Sequence, residues 1–147
     1  IYDIVRRANE AAEALIAPGA RMCDLDRAAR DVIEDAGYGQ YFTHRLGHSI
    51  GLQDHEPGDV SLVNEQIVEP GMTFSIEPGI YLPGRTGVRI EDLVLVTESG
   101  VEILNTYPHD PVRLDCLRLL PHKTVPISPQ LMRGWVSEAD LLLRRLG

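Results

Sequence analysis

Apolar residues recur at helical spacing over the first third of the chain and at strand spacing beyond it, with the change near Tyr38. Ile1, Ile4, Val5, Ala8, Ala11, Ala12, Leu15 and Ile16 make one stripe, which predicts a helix over residues 1–17 stopped by Pro18-Gly19. Leu25, Ala28, Ala29, Val32, Ile33 and Ala36 make a second, running from about Asp24, whose side chain suits an N-cap, to Gly37. Both stripes read as core. Met72 to Tyr81 is then an apolar, strand-like run, and Gly87 to Val96 reads as a strand covered on both faces. Leu82 to Gly87 links these two, and Glu98-Ser99-Gly100 turns the chain back through Val101–Leu104. Glu56 to Pro70, rich in turn residues, is predicted to be a connecting loop that rims a pocket. Two helices followed by a curved antiparallel sheet give an α+β arrangement.

Into this pattern the sequence sets polar groups where apolar ones are expected. The stretch His44 to Gly58 carries His44, His48 and His55 among glycines and apolar residues that suit extended backbone. On a strand, His44 and His48 would share a face yet stand roughly 13 Å apart, so one ion would not take both and the two have different jobs. The helical His-Glu-x-x-His zinc site is not met, because His55-Glu56-Pro57 lacks the second histidine and carries a proline. Glu77 precedes Pro78, which holds it extended. By period two, Arg89, Glu91, Leu93 and Leu95 share one strand face, where a buried carboxylate calls for a metal ion or Arg89 as counter-charge. Singly these residues have ordinary structural explanations: a surface histidine, a turn-closing glutamate, a same-face ion pair. Together, one His and two Glu make a hard nitrogen and oxygen set suited to Mn²⁺, Co²⁺, Fe²⁺ or Zn²⁺ rather than to a thiolate-bound zinc.

Five segments in order, Gly47-His48-Ser49-Ile50-Gly51-Leu52, His55-Glu56-Pro57, Glu69-Pro70-Gly71-Met72, Ser75-Ile76-Glu77-Pro78-Gly79-Ile80-Tyr81 and Gly87-Val88-Arg89-Ile90-Glu91-Asp92, carry a resemblance. Over residues 1–104 the chain resembles the C-terminal half of the catalytic domain of the pita-bread metallopeptidases, nearest in wording to the Xaa-Pro peptidases, prolidase and aminopeptidase P. The resemblance implies half of a pita-bread domain, helices packed on a curved antiparallel sheet, and two divalent metal ions, Mn²⁺ first with Co²⁺, Zn²⁺ or Fe²⁺ as alternatives. It implies that His48 and Glu77 serve one metal, that Glu91 bridges both, and that Glu77 also moves protons to and from the metal-bound water. His44 and His55 would line the substrate pocket as catalytic and substrate-contacting residues, and Arg89 would orient the ligands and balance their charge. The implied reaction is hydrolysis of Xaa-Pro bonds at peptide N-termini or in dipeptides, on a peptide with proline second, by a protein that is a homodimer when complete. That family takes two more ligands from an Asp-x₁₀-Asp pair in the preceding half of the domain. Asp24 and Asp26, at the start of a helix, are no substitutes, so the chain is expected to be an incomplete fragment, inactive alone. A creatinase-like hydrolase and a non-catalytic binding module are the alternatives on the same fold, and His48, Glu77 and Glu91 together count against the metal-free version.

Composition narrows the rest. With 147 residues, 44% hydrophobic and 24% charged, the chain can bury one ordinary core. A net charge of −8 argues against nucleic acid as a partner. No run reaches the length of a membrane span, and Cys23 and Cys116, far apart in sequence, read as reduced thiols in keeping with a cytoplasmic protein. Residues 105–147 form a separate, atypical tail, broken by Pro108, Pro111, Pro121, Pro126 and Pro129, with a short helix after Ser137; His109 and His122 there have no partners at ligand spacing.

Overall fold

The two helical stripes become α1 (Tyr2–Glu13) and α2 (Met22–Asp35) in the computed structural model, which describes residues 1–111. Cys116, His122, Trp135 and the helix expected after Ser137 lie outside the described residues. From α1, Val5, Ala8 and Ala12 are fully buried, and they meet Leu25, Ala29 and Ile33 of α2 in one core. The alanines let the two helices approach closely, and the larger side chains supply the burial, about 1.5–3 kcal/mol for each one fully removed from water.

Both helix ends differ from expectation. α1 stops at Glu13, and the chain continues in tighter turns, with Leu15 N–H donating to Ala12 O and Ile16 N–H to Glu13 O. Pro18 disfavours helical backbone for the residue before it, so the last turn cannot extend; Ile16 stays buried while Leu15 is exposed. At the other helix, Asp24 is not the N-cap. α2 begins at Met22, and its leading N–H groups are satisfied by carbonyls of a distant loop, Met22 N–H to Gln66 O and Cys23 N–H to Asn64 O. Asp24 is left to pair with Arg21 at 2.8 Å.

The strands are β1 (Gly47–Ser49), β2 (Glu56–Val60), β3 (Thr73–Ile76), β4 (Gly79–Leu82), β5 (Thr86–Arg89), β6 (Asp92–Thr97) and β7 (Gly100–Ile103). Five of them form an antiparallel sheet in the order β2-β1-β3-β6-β7, and β4 and β5 form a two-stranded ribbon. Glu56–Val60 is thus an edge strand and not loop. It tolerates Pro57 because an edge needs fewer ladder donors, and a register shift in its pairing with β1 accommodates Gly58 at φ +126°.

Neither of the two long apolar runs is continuous. β3 pairs with β6 through Ile76 and Asp92, and β4 pairs with β5 through Gly79 and Arg89, in the same register. The four strands are therefore two arms of one long hairpin, broken where Glu77-Pro78 passes Ile90-Glu91. Pro78 cannot donate a ladder hydrogen bond, which is one cause of the break. β6 is not covered on both faces either. Asp92, Val94 and Val96 are buried, whereas Leu93 and Leu95 are only partly so, and the buried carboxylate of this strand is Asp92 rather than Glu91.

Candidate metal centre

The break in the long hairpin is where the carboxylates gather, because the shared register sets Glu77 opposite Glu91. β1 lies beside β3 and brings His48 to them. One donor atom each from His48, Glu77 and Glu91 falls within a 4.8 Å cluster, the one group among the described residues with the chemistry of a cation site.

Local contacts fix two of the three. Ser75 Oγ, fully buried, accepts from the His48 backbone N–H at 3.0 Å and donates to Glu77 Oε1 at 3.0 Å, and the Glu77 N–H donates to Leu46 O at 2.8 Å. Gly47 makes this approach possible, since a Cβ there would lie 1.8 Å from the Ser75 carbonyl oxygen. The segment leading into β1 is held from α2. Arg30 pairs with the fully buried Asp26 at 2.8 Å and donates to the carbonyls of Phe42 and His44, both at 3.0 Å, while Asp26 accepts from Leu46 N–H at 2.9 Å. Asp26 is therefore a structural anchor.

The histidines separate into different partnerships. His48 Nδ1 lies 3.1 Å from the Ser49 carbonyl, which can only accept, so that nitrogen carries a proton and Nε2 is the nitrogen left to face Glu77. Nε2 stands 3.4 Å from Glu77 Oε1. In the imidazole tautomer with its single proton on Nδ1, Nε2 offers a lone pair, and this is the form that ligates a metal. His44 faces elsewhere, with Nδ1 on the Arg45 carbonyl at 2.7 Å and Nε2 3.1 Å from the Tyr81 hydroxyl. The exposed His55 ring stacks on His48 at 3.9 Å between centroids. His44, Arg45, His48, His55, Glu77 and Arg89 line one open cleft of about 480 Å³.

Arg45 and Arg89 line the cleft with Glu77, and Glu91 lies beside Glu77. Arg89 reaches Glu77 Oε2 at 3.6 Å and Glu91 Oε2 at 3.4 Å, yet it is half exposed. Burial, and then the neighbouring Glu77, push the Glu91 carboxyl above its ordinary range against the pull of Arg89. Burial likewise pushes the Tyr81 hydroxyl up, opposed by Arg89. One imidazole nitrogen with two carboxylates, their donor atoms within 4.8 Å, is a set that divalent ions accept.

Ser75, Tyr81 and Asp92 were not expected at the site. Ser75 stands two residues before Glu77, hence on the same strand face, and Asp92 alternates with Val94 and Val96; both signals were present in the sequence. Tyr81 gave no such signal, because its contact with His44 depends on how the ribbon lies against the segment before β1.

This arrangement belongs to a known class. The model of metallopeptidase family M24 matches residues 1–98, and the chain belongs to that family. It is 56% identical over 107 residues to an uncharacterized peptidase of Staphylococcus epidermidis, spanning 30% of that protein's length. Among solved structures it is similar to a dipeptidase from Mycobacterium ulcerans, with 50% identity and a TM-score of 0.72 over 74% of this chain and 29% of that one. An Xaa-Pro dipeptidase from Bacillus anthracis matches with 41% identity and a TM-score of 0.75 over 78% of this chain and 32% of the other. For a prolidase from Pyrococcus horikoshii the values are 44%, 0.72, 74% and 31%. The chain thus spans about 30% of the length of the curated relatives and solved structures it resembles. No helix among the described residues is long and apolar enough to cross a membrane.

Proposed function

We propose that the chain carries the His-Glu-Glu part of the metal centre of a peptidase that hydrolyses Xaa-Pro bonds. The observation behind this reading is the cluster itself, with donor atoms of His48, Glu77 and Glu91 within 4.8 Å, beside a cleft that His48 and Glu77 line with His44, His55 and Arg89. Similarity to a prolidase and an Xaa-Pro dipeptidase supports the choice of proline in the second position of the substrate.

In this reading His48 Nε2, Glu77 and Glu91 hold divalent metal, Mn²⁺ before Co²⁺, Zn²⁺ or Fe²⁺. When bound, the metal supplies a water activated near neutral pH and polarises the scissile carbonyl. Glu77 would accept and return the proton of the attacking water, its Oε1 anchored by Ser75. His44 and His55, which line the cleft with His48, contact the peptide, and Arg89 balances the ligand charge from the solvent side. Two further ligands, the aspartates that the resemblance implies, would come from outside these residues, so the chain alone would be inactive. Residues 1–104 as the partial catalytic domain, 105–147 as an atypical C-terminal tail, a homodimeric whole and a cytoplasmic location belong to the same reading.

The test is cleavage of Xaa-Pro and matched Xaa-Ala substrates by the whole protein that carries this chain, loaded with Mn²⁺. Metal-dependent cleavage that prefers proline and falls about a hundredfold or more in Glu77→Gln is the expected result. Metal-dependent cleavage without a proline preference removes the substrate assignment, and no metal dependence removes the whole reading.

A further inference from the structure

Of the three candidate ligands, Glu91 is the one without a hydrogen-bonded side chain. Glu77 has Ser75, and His48 has the Ser49 carbonyl, whereas Glu91 has only the 3.4 Å ion pair to a half-exposed Arg89. Its position therefore rests on its backbone, at the point where the chain leaves β5 for β6 and neither ladder is continuous. The next residue, Asp92, is fully buried, and because neighbouring side chains in extended backbone point to opposite faces, Asp92 points inward while Glu91 points toward His48 and Glu77.

Asp92 is gripped from the segment after β7. Asn105 Nδ2 donates to Asp92 Oδ1 at 2.5 Å, and the Asn105 side-chain carbonyl accepts from Leu93 N–H at 2.7 Å. His109 Nε2 lies 3.1 Å from the same Oδ1. The His109 backbone carbonyl accepts from the Tyr2 hydroxyl, which ties this strap to α1. On the far side, Asp92 Oδ2 and Glu13 Oε1 are both buried acceptors without a donor, and one proton between the two carboxyls satisfies both. Glu13 is accordingly pushed up to about 8 by burial first and by Asp92 second. These contacts lie outside the stretch that the family model matches, residues 1–98, at Asn105 and His109.

We infer that Asn105 and His109 are positioning residues of the metal centre, holding Glu91 in place by clasping the buried Asp92 beside it. The inference rests on the reading of Glu91 as a metal ligand. It gives residues 105–110 a task at a site they do not touch, and it makes the strap a point at which the cleft can be loosened from behind.

The test uses the full chain with Asn105→Leu, His109→Leu and His109→Gln, the last keeping an N–H donor close to the imidazole Nε2. Val101→Ala, in β7, serves as a variant destabilised elsewhere in the sheet. Co²⁺ alone is titrated and its visible absorption recorded, and amide exchange is followed at Ile90, whose N–H donates to Pro78 O across the break at 3.4 Å. Expected is Co²⁺ binding weakened roughly tenfold to a hundredfold in the two leucine variants, with an altered spectrum, and restored in His109→Gln. Exchange at Ile90 should quicken in the leucine variants while that of Phe74 and Val94 stays slow. Co²⁺ affinity equal to that of Val101→Ala overturns the inference. If the unaltered chain takes up no Co²⁺, metal binding by this chain alone fails. The clasp is then decided by exchange: quickening confined to Ile90 supports it, and uniform or absent quickening overturns it.

Discussion

Asp26 and Asp92 are both fully buried, and each steadies one wall of the same cleft, but by opposite means. Asp26 has its own cation. Arg30 covers both of its oxygens, at 2.8 and 3.3 Å, and the leftover guanidinium donors hold the backbone that leads to His48. Asp92 has no arginine or lysine among its hydrogen-bond and ion-pair partners. It depends on Asn105, on His109 and on a proton shared with Glu13, and what it steadies is the backbone of Glu91. The difference fits the placing of charge. The β1 wall brings an imidazole to the site, whereas the other wall brings carboxylates, of which Glu91 is pushed up by burial and then by Glu77. A proton-sharing acid pair anchors that wall with one negative charge fewer.

Breaking the first anchor should cost most. Arg30→Met leaves a buried carboxylate without its cation and frees the carbonyls of Phe42 and His44, a loss of about 3–5 kcal/mol in denaturant unfolding. Next comes Gly47→Ala, which drives a methyl into the Ser75 carbonyl and forces β1 from β3; about 1–3 kcal/mol is expected, together with loss of metal binding in calorimetry. Ser75→Ala removes the link between the His48 N–H and Glu77, at about 1–3 kcal/mol by the same unfolding assay.

A further contrast is read through pH. Glu13 rises from 4.5 to about 8 on folding, so between those values the folded chain binds more protons than the unfolded one. Its contribution is complete below about pH 4.5 and fades as pH climbs toward 8. Unfolding free energy measured across that window should decline for the unaltered chain and flatten in Glu13→Gln. Arg30→Met should instead lower the whole curve and keep the decline.

The sequence made the helical faces plain, since Val5, Ala8, Ala12, Leu25, Ala29 and Ile33 are buried by periodicity alone. It also brought His48, Glu77 and Glu91 forward as candidates, because polar groups in apolar extended runs stand out. What it hid were the relations between distant segments. The start of α2 depends on carbonyls of Asn64 and Gln66, so Asp24 was a plausible cap with no vacancy to fill. The break in the long hairpin depends on how two runs pass each other, and neither run shows it alone. The edge strand Glu56–Val60 was masked by Pro57 and Gly58, residues that a central strand would refuse. Asp92 lay in plain view, but its partners Asn105 and His109 stand beyond a hairpin turn, at no spacing that suggests a site.

The claim on which the rest depends is that His48, Glu77 and Glu91 jointly hold a divalent ion, and its most direct test is Mn²⁺ calorimetry on the protein carrying this chain. The account predicts saturable binding that weakens sharply in His48→Ala, Glu77→Gln and Glu91→Gln alike, with each variant still folded by circular dichroism. Binding that survives all three substitutions, or no binding in the unaltered protein, would contradict it.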